Sequence, residues 1–178
     1  MNYKILINSK VGLFTEIKTL RSLKNNPYTI NFYEIHETDN KIYIVLEYIE
    51  GQELFKRISK KKILKESIIR KIMLSLLESL QYIHSKRIMH RDIKPENIMF
   101  ITSDQSYKIK IVDFGLATHI DEPEFLYTRC GTPGFVGPEI ISLKNGQRYN
   151  EQCDIFSAGV IFYILLRGRN PFMSANYK

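Results

Sequence analysis

Apolar residues recur at helical spacing in two stretches of the 178-residue chain, and a third stretch is apolar nearly throughout. Residues 14–24 show this spacing, and the turn-forming residues 25–27 (Asn-Asn-Pro) end it, so a helix is predicted there. Residues 69–83 carry apolar side chains every three or four positions, which predicts a strongly amphipathic helix. Residues 154–166 are apolar on nearly all sides, which predicts a helix in the middle of a core.

Segments rich in β-branched and aromatic residues predict strands between these helices. Residues 29–36 and 41–48 have this composition, and three turn-forming residues separate them, which predicts a hairpin. Three shorter strand-like pieces follow the amphipathic helix, at residues 87–90, 98–101 and 107–112. A loop rich in turn residues covers 115–138. Because mixed strands come first and helices later, the order predicts an α+β fold.

The composition is that of a globular chain: 44% of the residues are hydrophobic and 25% are charged. The longest apolar run, residues 158–166, is too short to span a bilayer, and residues 1–10 lack the apolar core of a secretory signal. Cys130 and Cys153 are the two cysteines, and they show no metal-ligand spacing. We therefore expect a cytoplasmic protein, with the nucleus as an alternative, and no membrane partner.

The formal net charge of +7 and the pI near 9.3 would suit an anionic partner such as nucleic acid, a membrane surface or a nucleotide. The densest basic run covers residues 56–65. It is interpreted either as a polybasic patch or, preferably, as a solvated connection before a helix, because runs of charge usually stay in water. No RNA-binding signature or zinc-finger spacing accompanies the charge, so no nucleic-acid partner is expected.

Two polar motifs carry candidate chemistry. The first, His-Arg-Asp-Ile-Lys-Pro-Glu-Asn at residues 90–97, places Asp92 on a loop where its carboxylate can accept a proton from a substrate hydroxyl. Lys94 can neutralise charge on a moving phosphoryl group. Asn97, together with Asp113 at the end of a predicted strand, supplies hard oxygen ligands of the kind that Mg²⁺ prefers. These parts predict phosphoryl transfer.

The same motifs resemble those of a protein kinase catalytic domain. His-Arg-Asp with its following Asn, then Asp-Phe-Gly at 113–115, then Gly-Pro-Glu at 137–139 in place of Ala-Pro-Glu, occur in the family's order. The resemblance implies a two-lobed α+β fold, ATP as phosphoryl donor, Mg²⁺ as metal, and serine or threonine hydroxyls of proteins as acceptors. Lys94 matches the Ser/Thr type, and residues 130–139 and 154–159 resemble the calcium/calmodulin-dependent kinases.

The resemblance also implies which residues contact ATP. Leu46 would be the gatekeeper at the start of the hinge, and the backbone of Glu47 and Ile49 would hydrogen-bond the adenine. Glu53 would bind the ribose, and Met99 would form the apolar floor under the base. Each of the apolar residues is also expected to be an ordinary part of the core.

Glu16 resembles the helix glutamate that pairs with the lysine that anchors ATP. Lys4 is the first candidate for that lysine, although its separation from Glu16 is shorter than the family usually shows. Lys10 is the second candidate, and Lys4 is alternatively a plain surface lysine. The chain departs from the family pattern because no Gly-x-Gly-x-x-Gly loop lies upstream of Lys4.

Five residues are implied in regulation. Phe114 would stack in the regulatory spine, and Gly115 completes its Asp-Phe-Gly motif. Arg91 would receive a phosphate on Thr128, which occupies the position of the family's activating phosphosite; alternatively Thr128 is an ordinary loop residue. Thr132 is expected to hydrogen-bond the catalytic aspartate. The remaining spine residues would be Leu20, Phe32 and His90, anchored through Asp154.

The resemblance describes the chain as a partial kinase domain. Residues 1–48 would be the remnant of the small lobe and the start of the hinge, and residues 49–178 a mainly helical large lobe without its last helices. Glu139 is expected to be a buried carboxylate whose arginine partner is missing. Glu53 and Glu96 would receive basic residues upstream of the target hydroxyl, and an upstream activating kinase is expected. The alternative function is a catalytically impaired fragment that acts as a binding or scaffold module.

Overall fold

The computed structural model describes residues 3–5, 10–59, 64–102, 107–123, 128–144 and 146–172. Its helices are α1 (Lys10–Ser22), α2 (Leu54–Ser59), α3 (Glu66–Ser85), α4 (Pro138–Ile141) and α5 (Gln152–Arg167). Its strands are β1 (Tyr3–Ile5), β2 (Phe32–Thr38), β3 (Lys41–Leu46), β4 (Ile88–Met89), β5 (Ile98–Phe100), β6 (Ile109–Ile111) and β7 (Thr118–His119). These elements confirm the predicted α+β class.

The first part of the chain forms an antiparallel sheet with the strand order β1-β3-β2. The predicted hairpin is confirmed: β2 pairs with β3, and Thr38 lies opposite Lys41 at the turn. Helix α1 begins at Lys10, before the predicted start at residue 14, and its Leu20 side chain is buried in the core. Whether the lobes divide between residues 48 and 49 stays a prediction.

A polar turn directs the chain from α1 into the hairpin. The side-chain oxygen of Asn26 accepts hydrogen bonds from the backbone N–H groups of Tyr28 at 2.7 Å and Thr29 at 2.9 Å. Asparagine favours turns because its side chain can bond the backbone in this way. The turn brings Thr29 into a parallel bridge with Ile111 of β6, so the end of α1 is connected to the strand that precedes Asp113.

Helix α3 buries one continuous face against α5 and β6. The predicted amphipathic helix is therefore confirmed, and it extends to Glu66 at one end and Ser85 at the other. The interval of three or four residues places the buried side chains on one side of the helix. They are Ile69, Ile72, Leu76, Ser79, Leu80 and Ile83.

Two short antiparallel ladders hold the polar motifs. Strand β4 pairs with β7, and β5 pairs with β6. The loop at residues 90–97 connects β4 to β5, and Asp113 follows β6, so both motifs leave the ends of paired strands. Strand β7 lies inside the stretch 115–138 that was predicted to be only loop, and its two residues are too few to give a periodic signal in the sequence.

The basic run at residues 56–65 is not simply a solvated connection. Its first residues belong to α2, which the sequence pattern did not predict. The guanidinium of Arg57 lies over two aromatic rings, 4.5 Å from the centroid of Phe100 and 4.7 Å from that of Tyr107. Such cation–π contacts let a charged residue cover apolar surface while its stem packs. For these residues the predicted connection is wrong.

Helix α5 is buried on one face only, so the prediction of a helix surrounded by core is wrong for the part of the chain that the structure describes. Cys153, Ser157 and Ile161 are buried, whereas Ile155 is 46% and Phe162 is 45% exposed. The prediction took apolar residues on all sides of the helix to mean burial on all sides. In the structure α3 packs against one face of α5. Within the described ranges, the helices are too short or too polar to cross a membrane.

A close backbone approach explains one glycine. The Cα of Gly51 lies so near β5 that a Cβ atom there would be 1.8 Å from the backbone oxygen of Phe100. The contact follows from a hydrogen bond in which the Phe100 N–H donates to Gln52 O at 3.0 Å. Only a residue without a side chain fits at position 51, where the chain passes this strand.

Gly51→Ala is therefore expected to lower the free energy of unfolding by about 3 kcal/mol, the upper end of the usual cost of overpacking, because β5 must move to admit the methyl group. The matched control is Gly159→Ala in α5, where an added Cβ meets nothing within 4 Å. That change is expected to raise the free energy of unfolding by about 1 kcal/mol, the helix propensity difference between the two residues. Urea denaturation measures both, and equal midpoints for Gly51→Ala and the wild type would contradict the expectation.

Candidate active site

The carboxylate of Asp154 fixes the loop at residues 90–97. It is fully buried in the first turn of α5 and accepts the backbone N–H groups of His90 at 2.9 Å and Arg91 at 2.8 Å. His84 Nε2 donates to the same carboxylate at 2.9 Å, which satisfies this histidine at the end of α3. Burial opposes ionisation of Asp154, but the hydrogen bond from His84 and the nearby His90 outweigh it, so the pKa of Asp154 is lowered.

His90 connects the two polar motifs. Its Nδ1 accepts the backbone N–H of Asp92 at 3.2 Å, which leaves Nε2 to donate to the backbone oxygen of Val112 at 3.0 Å. The His90 ring also packs edge-on against Phe114, with 4.9 Å between the ring centroids. The loop with Asp92 and the loop with Asp113 are therefore held beside each other through one buried ring.

Three polar side chains meet around Asp92. Asn97 Nδ2 donates to Asp92 O at 2.9 Å and to Oδ2 at 3.1 Å, and Thr132 Oγ1 donates to Oδ1 at 2.6 Å. Lys94 Nζ lies 2.8 Å from Asp92 Oδ2 and donates to Thr132 Oγ1 at 2.8 Å. The expected contact between Thr132 and Asp92 is confirmed. The cluster holds a partly exposed carboxylate in one orientation with a cation beside it.

Asp113 is the first residue of the Asp-Phe-Gly motif at 113–115. Its side chain is exposed, and its backbone has a φ of 63°, in the left-handed region. Gly115 N–H donates to Asp113 Oδ1 at 3.4 Å. A Cβ built on Gly115 would lie 3.3 Å from Asp113 Oδ1 and 3.9 Å from Glu16 Oε2, so the carboxylate of Glu16 reaches this motif from α1.

The lysine that would pair with Glu16 lies outside the described side chains. The backbone of Lys4 is in β1, opposite Ile44 of β3, and the backbone of Lys10 begins α1. The side chains of both candidates belong to the part of the chain that the structure does not describe. The assignment of the anchoring lysine therefore stays a prediction.

The residues assigned to the adenine and ribose follow one another along the chain after β3, and a backbone bridge joins the last of them to β5. Leu46 ends β3, half-buried Glu47 follows it, and buried Ile49 comes two residues later. Glu53 forms an isolated bridge with Met99 of β5, which brings the predicted ribose acid next to the predicted floor of the base. The Glu53 carboxylate accepts a hydrogen bond from Lys56 at 2.8 Å.

Arg91 and Thr128 differ sharply in exposure. Arg91 is buried at a φ of 67°, and its guanidinium donates to Leu116 O at 2.7 Å and to Tyr149 Oη at 3.1 Å. Burial raises the pKa of the Tyr149 hydroxyl, which keeps it a neutral partner. Thr128 is exposed.

Burial also raises the pKa of the Cys130 thiol, which suits an unreactive cysteine.

Glu139 does not have the predicted environment. The residue is exposed, and its carboxylate folds over the backbone of Gly137, where a Cβ would lie 2.4 Å from Glu139 Oε1. The expectation of a buried carboxylate is wrong for this structure, because the family position alone does not state what covers the side chain.

An apolar cavity of about 730 Å³ adjoins the cluster around Asp92. Both chain neighbours of Thr132, Gly131 and Pro133, line it, and Thr132 itself contacts Asp92. A cavity of this size and character can take a side chain of a bound peptide. Its further lining includes Val136, Ile140, Phe156 and Phe172.

Two residues of the site were missed from the sequence. The hydroxyl of Tyr149 is a hydrogen-bond partner of Arg91. Tyr149 stands among polar residues in the sequence, and no pattern there indicates this role. Lys110 Nζ donates to Oε1 of Glu47, the residue after β3, at 2.7 Å. A lysine between two isoleucines of a predicted strand was a signal, since a buried lysine requires a partner.

Comparison with known proteins agrees with this geometry. The protein kinase domain family matches residues 4–178. The SNF1-related protein kinase catalytic subunit alpha KIN12 of Arabidopsis thaliana is 41% identical, over 97% of this chain and 35% of that protein. Calcium-dependent protein kinase 5 of Plasmodium falciparum is 42% identical, over 97% of this chain and 30% of that protein.

Calcium/calmodulin-dependent protein kinase type 1 of Macrobrachium nipponense is 37% identical, over 97% of this chain and 49% of that protein. The chain thus spans about a third to a half of the length of these three relatives. The fold, the motifs and the family match define a protein kinase domain. This chain belongs to the protein kinase family. Two further relatives, fhkC of Dictyostelium discoideum and CBL-interacting kinase 20 of Arabidopsis thaliana, are named serine/threonine-protein kinases and are 41% and 38% identical over 92% and 94% of this chain.

Proposed function

We propose that the protein is an ATP-dependent serine/threonine kinase. The observation that carries this proposal is the cluster in which Asn97, Lys94 and Thr132 all contact the carboxylate of Asp92. A binding or scaffold module has no need of a carboxylate that is fixed in orientation, partly exposed and paired with a cation. Cytoplasmic location, with the nucleus as the alternative, stays part of the proposal.

In the proposed reaction Asp92 acts on the acceptor. Its carboxylate takes the proton of a serine or threonine hydroxyl as the oxygen bonds to the γ-phosphorus of ATP, and the bond from that phosphorus to the β-phosphate oxygen breaks to release ADP. Lys94 lies beside Asp92 and stabilises negative charge on the transferring group. Thr132 and Asn97 hold the carboxylate so that it does not rotate away from the acceptor.

Asn97 and Asp113 fit a magnesium ion. Because Asn97 Nδ2 is used by Asp92, the amide oxygen is the atom of that side chain left for a cation. Asp113 adds an exposed carboxylate, and oxygen donors of this kind suit Mg²⁺, which uses few protein ligands. When bound, the ion would neutralise phosphate charge.

Asp92→Asn is expected to lower kcat for phosphate transfer to a serine peptide by about 10²- to 10⁴-fold, because the amide cannot accept the proton. The assay follows labelled phosphate from ATP with and without Mg²⁺. Asp39→Asn, at an exposed residue of the β2–β3 turn, is the control and should leave kcat unchanged. A wild-type chain that binds ATP but transfers no phosphate at all would favour the scaffold alternative.

A preference for basic residues upstream of the target hydroxyl is the second part of the proposal. Glu96 is exposed on the loop next to Asn97 and can pair with an arginine of the substrate, whereas the Glu53 carboxylate is shared with Lys56.

Glu96→Gln is expected to reduce the advantage of a peptide with an upstream arginine over its alanine counterpart by about fivefold in kcat/KM, the size of one exposed ion pair. Glu37→Gln, at an exposed position of β2, is the control. If the wild type does not distinguish the two peptides, the basic preference fails and the kinase assignment remains.

Regulation through Thr128 is the third part of the proposal. The exposed hydroxyl is accessible to an upstream kinase, and a phosphate there adds about −1.5 to −2 charge, which a nearby arginine can attract. Arg91 donates to Leu116 O and Tyr149 Oη, so a phosphate would have to exchange with or add to these neutral partners.

Phosphorylation is expected to raise kcat/KM for the wild type, and Thr128→Ala is expected to abolish that increase without lowering the basal rate. Thr38→Ala, which also removes an exposed threonine, should respond like the wild type. Mass spectrometry locates the phosphate, and the peptide assay compares rates before and after treatment. Equal activation of wild type and Thr128→Ala would refute this role.

A further inference from the structure

A cluster of cations lies where the end of α2 meets the first turns of α3. Arg57 of α2 and Lys71 of α3 both lie over the ring of Tyr107, at 4.7 Å and 5.8 Å from its centroid. Lys65 directly precedes α3, Arg70 is the neighbour of Lys71 in the chain, and all three side chains are exposed. Arg57, Lys65, Arg70 and Lys71 are here called the basic face.

The basic face has no acidic partner in the part of the chain that the structure describes. None of its four cations forms an ion pair there, whereas Lys18 pairs with Glu122 and Arg87 pairs with Asp121. Two cations that share one ring repel each other, and contact with the ring offsets only part of this cost. Six of the ten residues 56–65 are lysine or arginine, and none is acidic. A ligand with negative charge would therefore relieve repulsion here.

The rings under the basic face restrict what can bind to it. Phe100 is 1% and Tyr107 is 8% exposed, so neither ring is available to stack on a nucleic-acid base. One turn further along α3, Leu74 is 58% exposed. Spacings of three and four residues place Leu74 on the same side of the helix as Lys71 and Arg70. An apolar side chain beside cations suits a protein segment, because such a segment can present carboxylates and an apolar residue together.

Exposed acids on the same side of α3 argue against a membrane as the partner. Glu66 lies four residues before Arg70, and Glu78 lies four residues after Leu74, so this side of the helix carries carboxylates as well as cations. A flat anionic membrane would meet both carboxylates. A short protein segment can pair with the cations between them and avoid both.

We propose that the basic face docks an acidic segment of a partner protein. Carboxylates of the segment pair with Arg57, Arg70 and Lys71, and an apolar side chain of the segment contacts Leu74. The two guanidinium groups can each hold a carboxylate through two N–H donors. Because Arg57 already stacks on Tyr107, less side-chain freedom is lost when a carboxylate binds it.

This docking surface goes beyond the proposed kinase activity and does not depend on it. None of the residues of the basic face is assigned to ATP, to the metal or to the acceptor hydroxyl. Binding to it can therefore be measured without ATP.

The double variant Arg70→Glu, Lys71→Glu reverses two exposed charges and leaves Arg57 on its rings. The probe is a short fluorescent peptide of glutamates with one leucine, and fluorescence anisotropy with the full chain measures its Kd. The variant is expected to raise Kd about tenfold, since each reversal replaces an attraction by a repulsion. The double variant Lys24→Glu, Lys41→Glu is the matched control: it changes the net charge equally at exposed positions elsewhere, and its Kd should stay within about twofold.

The recognised chemistry is tested by changing each partner of the contact. A peptide with glutamine in place of glutamate is expected to bind about tenfold more weakly to the wild type. Leu74→Ser is expected to weaken binding of the glutamate peptide about threefold, because it removes the apolar contact. Added salt is expected to weaken binding as well, because the cations are exposed.

Several results would overturn the basic face as a docking surface. Equal loss of binding in the two double variants would mean attraction to net charge alone, and equal binding of the glutamine peptide would mean that carboxylates are not recognised. If phosphatidylserine vesicles or single-stranded DNA bind and the acidic peptide does not, the partner is not a protein segment. Melting temperatures show whether the variants fold, and if the double variant does not, Arg70→Gln decides alone.

Failure of docking and failure of the kinase proposal are distinguishable. A chain that binds the acidic peptide but transfers no phosphate to a short serine peptide counts against the kinase proposal only. A chain that transfers phosphate but does not bind the acidic peptide counts against the basic face only.

Discussion

One buried carboxylate determines the shape of the loop at residues 90–97. Asp154 has no exposed surface, and it accepts the backbone N–H groups of His90 and Arg91 and the ring N–H of His84. Buried N–H groups without partners are costly, and so is a buried charge without donors, so each side of this contact requires the other. The orientation of Asp92 follows, because its own N–H is bound by the His90 ring.

Elements with a long periodic signal were predictable from the sequence. Helix α3 buries the face that its spacing indicates, and the β2–β3 hairpin forms around its polar turn. Helix α2 was not predictable in this way, because its lysine and arginine residues indicated solvent. What holds Arg57 there is the pair of aromatic rings from Phe100 and Tyr107, which lie far from it in the chain.

In the site, too, contacts within one loop were predictable, and contacts between distant segments were not. The motif residues around Asp92 meet because short spacing places Lys94 and Asn97 on one loop. Partners from distant segments left no comparable signal: Tyr149 is separated from Arg91 by 58 positions, and Lys110 from Glu47 by 63. Sequence patterns report the face that a residue presents, whereas these contacts depend on how whole segments pack.

Arg91 and Asp113 share an unusual backbone feature, since both lie in the left-handed region, with φ values of 67° and 63°. This conformation is unfavourable for residues with a Cβ, and glycine would adopt it without cost. The two positions therefore oppose folding slightly while supplying a guanidinium and a carboxylate that glycine lacks. Replacing either residue by glycine would therefore relieve the backbone and remove a charged group in the same step, so local stability and the chemistry of the site make opposite demands at these two positions.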